Sequence, residues 1–434
     1  MQNTRKTVYL SLLSCEKNDR FSNLEADTVL KSDAVEEKER AFYTALLYGV
    51  IERKITLDYQ IAKLCEKQLD SLQQSVVILL RMGLYQLLYM NSVPDHAAIN
   101  ETVKLAKETV NSGAVGFING VLRSASRKLK TDSGEVLLIT PDKSRDVCGY
   151  LSITYGYPRY LCKVWVNAYG EENAEKIMQS MNRPPRLSIR VNTLKITREK
   201  YLYMLDEAGI HATPSEITDD GITLSGGTVS SLPGYSEGLF FIQDDASAMA
   251  IKAFDVKEGE TVIDTCSCPG GKSFLMSIYM KNKGAVISSD IHENKLSLIE
   301  SGKERLGIDI IKTRCADSSV FDPSLTESAD KVLCDVPCSG FGTIAKKPDL
   351  RHKTKDSIAE LPKLQLSILQ SSAKYCKHGG RLMYSTCTLF PAENEENVRT
   401  FLALNPDFKL VNMVTNFPYE SLSDGFFYAI FKRV

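Results

Sequence analysis

The chain has 434 residues, 53 basic and 54 acidic side chains, and a formal charge of -1. At roughly 150 residues per domain this length predicts about three domains, and a content of 43% apolar and 25% charged residues lets each bury a core. These values exclude a disordered, fibrous or collagen-like chain. They also exclude nucleic-acid binding by bulk positive charge, so any such partner must be held by local patches.

Eleven cysteines are scattered without a Cys-x-x-Cys pair, and seven of them fall from Cys266 onward. In a chain of this size they predict a reduced, cytoplasmic protein rather than a disulfide scaffold. The greasiest region, Ser75 to Met90, is interrupted by Arg81 and Gln86, so no membrane span is expected. Near the start, Arg5 and Lys6 precede Val8–Ser14 and Cys15, in a faint likeness to a lipoprotein signal. Its apolar part is only about seven residues, the floor for such a segment. A first amphipathic helix is the better reading.

Residues 1 to about 130 are predicted to be helical throughout. Val77, Leu80, Leu84, Leu87 and Leu88 share one helical face, as do Val103, Ala106 and Val110, and then Phe117, Val121 and Ala125. Pro94 and Gly113 punctuate these segments. Residues 1–130 hold 18 Lys and Arg against 15 Asp and Glu, and Arg123, Arg127, Lys128 and Lys130 cluster at the end. That cluster suits either a solvated helix end or a patch that contacts phosphates. Thr131 to Ser144 is polar and contains Pro141, which predicts a linker, and 145–185 is again helical. From Arg186, alternating Leu187, Ile189 and Val191 begin a strand. A helix over Arg198–Gly209 and short strands up to Phe241 follow, with turns at Gly226-Gly227, Pro233-Gly234 and Gly238. This is a small α+β module of the RRM-like kind.

From Asp245 onward helices and strands alternate. Strands are predicted at Thr261–Asp264, Ala285–Asp290, Ile310–Cys315, Lys331–Asp335 and Arg381–Thr386, with helices such as Gly271–Met280 and Asn294–Leu306 between them. Alternation of this kind makes a mostly parallel sheet with helices on both faces, and ligands then bind beyond the carboxyl ends of the strands.

The residues with chemical potential fall at those ends. Asp264-Thr-Cys266-Ser267-Cys268-Pro269-Gly270-Gly271-Lys272-Ser273 follows the first of these strands and opens a helix. Its glycines let the backbone approach a ligand, and the helix start offers unpaired N–H groups to a carboxylate or phosphate. Asp290 lies nineteen residues after Gly271 and closes the next strand, an offset that suits ribose hydroxyls. Asp317 follows the third strand and could meet an adenine amino group. A phosphate-binding P-loop fails because Cys266 stands where glycine is required, and the G-x-G-x-x-G dinucleotide fingerprint is missing. Three strand-end acids around one Gly-Gly turn suit S-adenosyl-L-methionine.

Two more segments carry thiols: Cys334-Asp335-Val-Pro-Cys338-Ser-Gly-Phe-Gly342, after the fourth strand, and Tyr384-Ser-Thr-Cys387-Thr388, after the fifth. Two thiols beside a methyl donor suggest nucleophilic catalysis on a pyrimidine. Carbon 5 of cytosine becomes nucleophilic once a thiolate adds to carbon 6, and a base must later remove the carbon 5 proton. A nearby cation such as Lys272 would favour the thiolate. The alternatives are two inert buried cysteines, or zinc on Cys266, Cys268, Cys334 and Cys338, although their spacings fall short of usual ligand pairs. No metal is therefore expected.

Asp335-Val-Pro-Cys338-Ser-Gly-x-Gly, Tyr384-Ser-Thr-Cys387-Thr and Pro391-Ala-Glu-Asn394-Glu resemble the RNA (cytosine-5)-methyltransferases of the NOL1/NOP2/Sun family. So do Gln243-Asp244, Pro348-Asp349-Leu-Arg351 and Asp424-Gly425-Phe-Phe-Tyr-Ala. Residues 41–127 resemble the NusB-type helical RNA-binding domain, through Leu46-Leu-Tyr-Gly49-Val50, Gly83-x-Tyr85-Gln86, Pro94-x-His96-Ala97 and Phe117-Ile-Asn119-Gly-Val-Leu-Arg123. The two units in one chain imply a 16S rRNA methyltransferase. The implied division is a NusB-like domain at 1–135, linker helices and the small module at 136–244, and a Rossmann-like catalytic domain at 245–434. The resemblance makes Cys387 the nucleophile and Cys338 the residue that assists product release, and it brings Asp335 to the target base or the methyl donor. It implies binding of S-adenosyl-L-methionine by Cys266–Lys272, Asp290, Asp317 and Asp335. It further implies a monomer acting on 16S rRNA, free or in an early small-subunit particle. Another RNA such as tRNA, or a non-catalytic antitermination factor, are the alternatives. Two departures stand out: the family's Cys-Ala-Ala-Pro-Gly-Gly-Lys is Cys266-Ser-Cys-Pro-Gly-Gly-Lys, and His352 replaces an aromatic residue, often Trp, on the substrate side.

Overall fold

The computed structural model describes residues 3–18, 21–32, 34–65, 67–131, 133, 135–224 and 229–434. The expected turn at Gly226-Gly227 lies outside the described residues. The chain divides into two compact units, one of residues 1–179 with 347–353, the other of 180–346 with 354–434.

The first unit is helical, as the periodicity predicts. It opens with Thr4–Asn18, which buries Val8, Tyr9 and Leu12, and this is the expected first helix. Gln74–Tyr89 is buried almost all round and forms the centre of the core. Because it also buries Arg81, the guanidinium must be paired: Nε and Nη2 reach the two Asp58 carboxylate oxygens at 2.5 and 2.8 Å, and Nη1 reaches Glu16. Ser112–Lys128 carries Arg123, Arg127 and Lys128 on its exposed side, whereas Lys130 bonds Asp95. Helices Val147–Tyr155 and Arg159–Tyr169 complete the unit together with Pro348–His352, a single 3-10 turn. Arg351 is fully buried there, 4.2 Å from the Tyr157 ring centroid, and donates to the Tyr155 carbonyl at 3.0 Å. His352 Nε2 lies 3.0 Å from the Ile51 carbonyl oxygen. Burial, helped by Lys54, lowers its pKa to about 4, so the ring is neutral and donates that bond. The expected substrate-side position is therefore filled by a side chain packed into the helical unit.

The second unit begins with the small module. Strands β1 (Leu187–Val191), β2 (Ala212–Pro214), β3 (Gly221–Leu224) and β4 (Phe240–Ile242) form an antiparallel sheet in the order β2-β3-β1-β4, with helix Arg198–Glu207 packed on it. The larger sheet contains β5 (Thr261–Asp264), β6 (Ala285–Asp290), β7 (Ile311–Cys315), β8 (Ala329–Asp335), β9 (Cys376–Thr386), β10 (Phe408–Asn416) and β11 (Phe426–Arg433), in the order β10-β11-β9-β8-β5-β6-β7. β5 to β9 run parallel as expected. The alternation did not predict β10 and β11, which add to β9 as an antiparallel pair and make the sheet mixed. Strand order reverses between β5 and β8. Such a switch point opens a crevice at the carboxyl ends, and the Gly-Gly turn and Asp335 stand there.

Candidate active site

β5 ends at Asp264, which is buried, and the chain turns through Thr265–Gly270 into helix Gly271–Tyr279. Gly270 has φ +108°, and a Cβ there would lie 2.6 Å from the Phe274 ring, so only glycine closes this turn. The Cys268-Pro269 peptide is cis. Ser267 ties the loop to β6 by donating its N–H and Oγ–H to the Ser289 carbonyl at 2.9 and 3.0 Å. A cavity of about 170 Å³ lies over the loop, lined by Cys266, Ser267, Cys268, Pro269, Gly271, Lys272, Asp264 and Asp335. Ile242, Gln243, Asp244 and Ser247 close its other side. The alternation of strands and helices gives none of these four a chemical role, because they sit before or at the start of the alternating region.

Asp290 ends β6 beside this loop. Its Oδ2 accepts the Cys268 N–H at 3.3 Å and its Oδ1 the His292 N–H at 2.9 Å. Asp317 falls two residues past the end of β7, exposed, and its Oδ1 accepts the Ser319 N–H and hydroxyl. Beyond those acids Ile291 and Val320 are 58% and 64% exposed.

Asp264 carries an unusual burden. Ser273 Oγ donates to its Oδ2 at 2.7 Å, while its buried Oδ1 has no hydrogen-bond partner among the described residues. Burial pushes its pKa up to about 7. Asp264 also lines the cavity, and a carboxylate with one oxygen left without a partner suits a cationic group such as the ammonium of an amino acid moiety.

The thiols lie on the other side of Lys272. Asp335 ends β8, with Oδ2 2.5 Å from Lys272 Nζ and Oδ1 accepting the Ser385 hydroxyl at 2.8 Å. Lys272 Nζ also lies 5.3 Å from the Phe426 ring centroid. Burial disfavours the ammonium, but Asp335 outweighs it and the Lys272 pKa is raised. Cys338 and Cys387, 49 residues apart, bring their sulfurs to 3.3 Å.

The surroundings of the two thiols differ. A hydrogen bond from Cys338 lowers the Cys387 pKa, and the Lys272 ammonium assists, against burial. The same contact raises Cys338, as do burial and the Glu393 carboxylate. Burial pushes Cys268 and Cys376 up to about 12 and Cys334 to about 11. Among the described residues, Cys387 is the cysteine with a resolved downward shift. Its backbone is clamped on both sides: Asn394 Oδ1 accepts the Thr386 hydroxyl at 2.6 Å, and Asn394 Nδ2 donates to the Thr388 carbonyl at 2.9 Å. Ser339 and Thr388, the residues following the two cysteines, share a hydroxyl contact of 2.7 Å, and Glu393 Oε2 accepts the Ser339 N–H. No group of three or more His, Cys, Asp or Glu converges on a metal-sized site among the described residues. No described helix is long and apolar enough to cross a membrane.

A mixed sheet with its switch point at β5 and β8, a glycine turn and an acid beside it fit a Rossmann-like methyltransferase that uses S-adenosyl-L-methionine. Comparison with known proteins places it further. Residues 251–432 match the family described as 16S rRNA methyltransferase RsmB/F, 2–127 match the NusB family, and 157–230 match the ferredoxin-like domain of RsmF/B-like methyltransferases. The probable ribosomal RNA small subunit methyltransferase B of Bacillus subtilis is 38% identical, over 92% of this chain and 88% of that protein. Its namesake in Synechocystis is 31% identical over the full length of both. Among solved structures, that of PH0851 is similar over 99% of this chain and 98% of its own, with TM-score 0.79 and 27% identity. A methyltransferase homologue from Pyrococcus horikoshii matches 68% of this chain and all of its own, with TM-score 0.60 and 28% identity. The chain belongs to the 16S rRNA methyltransferase B family, and it is an RNA methyltransferase.

Proposed function

We propose that the enzyme methylates carbon 5 of a cytosine in 16S rRNA through a covalent adduct between Cys387 and carbon 6. The observation that carries this reading is the thiol pair at 3.3 Å, one member favoured as thiolate, beside the cavity of the Gly-Gly turn. The cavity suits S-adenosyl-L-methionine, which supplies an electrophilic methyl group when bound. Asp264 Oδ1 would accept its ammonium, Asp290 its ribose hydroxyls and Asp317 its adenine amino group, and the Cys266–Lys272 backbone would enclose it.

The target base must leave its stack to reach this cleft. Cys387 thiolate adds to carbon 6, and the Lys272 ammonium, held by Asp335, steadies the charge that moves onto the ring. Carbon 5 is then nucleophilic toward a bound methyl donor, whose methyl–sulfur bond would break and leave its electron pair on the sulfur as a neutral thioether. Once Cys387 is bonded to carbon 6 it no longer carries the charge that holds the proton on Cys338. Cys338 can then release that proton to solvent and, as thiolate, remove the hydrogen from carbon 5, and Cys387 departs as thiolate with the double bond restored. Oriented in this way, each sulfur has one task.

On this reading the divisions 1–135, 136–244 and 245–434 are the RNA-binding, linking and catalytic parts. The enzyme works in the cytoplasm as a monomer on 16S rRNA, free or in an early small-subunit particle. Bisulfite sequencing of rRNA from a deletion strain tests it: one protected cytosine should disappear, return with the wild-type gene, and stay absent with Cys387→Ala. An unchanged 16S pattern, or a loss confined to tRNA, overturns it.

A further inference from the structure

A second cavity, of about 250 Å³, opens beside the first, and Asp244 lines both. Its floor is polar: Lys346 Nζ sits between Asp244 Oδ2 at 2.6 Å and Asp424 Oδ2 at 2.8 Å. Gly342 also lines it, and the Gly342 N–H donates to the Cys387 carbonyl at 2.9 Å. A Cβ on Gly342 would lie 1.9 Å from the Gly425 carbonyl oxygen, so the wall presses directly on the segment that bears Asp424. The cavity is therefore one hydrogen bond from the Cys387 backbone, through Gly342, and is distinct from the glycine-turn cavity.

Its rim carries Arg183 and Arg186, both exposed and neither in an ion pair or side-chain hydrogen bond among the described residues. Pro184 and Pro185 stand between them, and proline fixes φ, so little chain entropy is lost when both guanidinium groups engage one ligand. The two floor carboxylates share the Lys346 ammonium and keep one negative charge between the three groups, while the two guanidinium groups place two positive charges at the mouth, so the lining as a whole is positive by one. Guanidinium groups bind phosphate through paired N–H donors, and phosphate contacts set register on a nucleic acid strand.

We propose that this cavity holds the nucleotide next to the target cytosine in the single-stranded RNA, with its phosphate on Arg183 and Arg186 and its base over the Asp244–Lys346–Asp424 floor. The inference rests on the reading that an RNA cytosine is methylated beside Cys387. It adds a positioning site: gripping the neighbouring phosphate holds the strand while the target base is turned into the cleft.

The test uses the full chain, transcribed 16S rRNA and the variants Arg183→Ala, Arg186→Ala and both together. The double variant should raise the KM for RNA at least about tenfold and leave kcat and the cofactor Kd within about twofold. The slope of log affinity against log salt should become shallower by about 0.7 for each phosphate that is no longer gripped. Phosphate-ethylation interference on the wild type should mark a phosphate adjoining the methylated cytosine, and the double variant should lose that mark. Lysine at either position should recover part of the affinity. An unchanged KM, a fall confined to kcat, or an interference pattern identical to wild type overturns the inference. Bisulfite sequencing of the wild-type product is read separately: if it holds no 5-methylcytosine, the reading of the thiol site fails and this inference with it.

Discussion

Replacing Cys338 by alanine separates the two thiols more sharply than any other change. In the wild type its S–H group, at a sulfur separation of 3.3 Å, favours the Cys387 thiolate. A hydrogen bond to a charged group contributes roughly 1.5–3 kcal/mol, so its removal should cut the thiolate fraction at neutral pH by about ten- to a hundredfold. Adduct formation should slow by a similar factor near neutrality and recover as pH rises, because a higher pH restores the thiolate. Turnover should fall much further, since nothing else in the pair can remove the carbon 5 proton. The assay is a denaturing gel of enzyme incubated with transcribed 16S rRNA and S-adenosyl-L-methionine, sampled over time from pH 7 to 9. Cys338→Ala should accumulate a shifted, denaturant-resistant protein–RNA band, faster at the higher pH, and Cys338→Ala/Cys387→Ala should form none. A Cys338→Ala enzyme that turns over normally, or one that forms no band under conditions where wild type is active, would refute the reasoning.

Cys387→Ala alone should abolish methyl transfer while the cofactor Kd, measured by calorimetry, stays within about twofold, since the thiol stands outside the glycine-turn cavity. Asp290→Ala should weaken S-adenosyl-L-methionine by at least about tenfold, the scale expected for losing hydrogen bonds to a carboxylate, and an unchanged Kd would assign the ribose to another acid. Asn394→Ala breaks both clamps around Cys387 and leaves a buried hydroxyl and carbonyl without their partner; it should cost about 1–3 kcal/mol in denaturant melts for each group and lower kcat more than cofactor affinity. Asp264, with its pKa raised to about 7, keeps its proton in the folded protein between the ordinary 3.8 and that value, whereas the unfolded chain has released it. Its contribution to stability therefore falls as pH rises through that window. Cofactor affinity should move the other way, strengthening from pH 6 to 8 as the carboxylate forms, and Asp264→Asn should flatten that profile; a wild-type Kd constant over the range would show that Asp264 holds no cation.

Much of this site was legible in the sequence because parallel strands end abruptly. The predicted ends at Asp264, Asp290 and Asp335 coincide with the observed ones; at Asp264 and Asp335 an apolar run stops at the acid, and at Asp290 two serines stand between the run and the acid. β10 and β11 were not legible, for opposite reasons. β10 is an edge strand exposed over Lys409–Met413, so Leu410, Val411 and Met413 show no inward-outward alternation. β11 is buried from Phe426 to Phe431, and a continuous apolar run fits a buried helix as well as a strand. The Asp244–Lys346–Asp424 floor spans 102 and 78 residues of sequence. No local period encodes such an arrangement. The Asn394 clamp is closer in sequence, yet only the turn before helix Glu395–Leu404 shows that one amide reaches both neighbours of Cys387.

Pro348–His352 limits how the gene can be cut. The chain crosses between the two units after Gln179, after Lys346 and after Lys353, so the helical part is assembled from two separate stretches of message. A fragment stopped at Gln179 lacks the guanidinium beside Tyr157 and the imidazole at Ile51, and it exposes an empty socket with unmatched carbonyls. A ribosome that has finished the first 179 codons therefore has not finished the first unit. Its last piece arrives only after β5 to β8 have been made, which ties completion of the helical unit to synthesis of the methyltransferase unit. Anyone wishing to express the helical half alone would need to graft the Lys347–Lys353 segment back onto it.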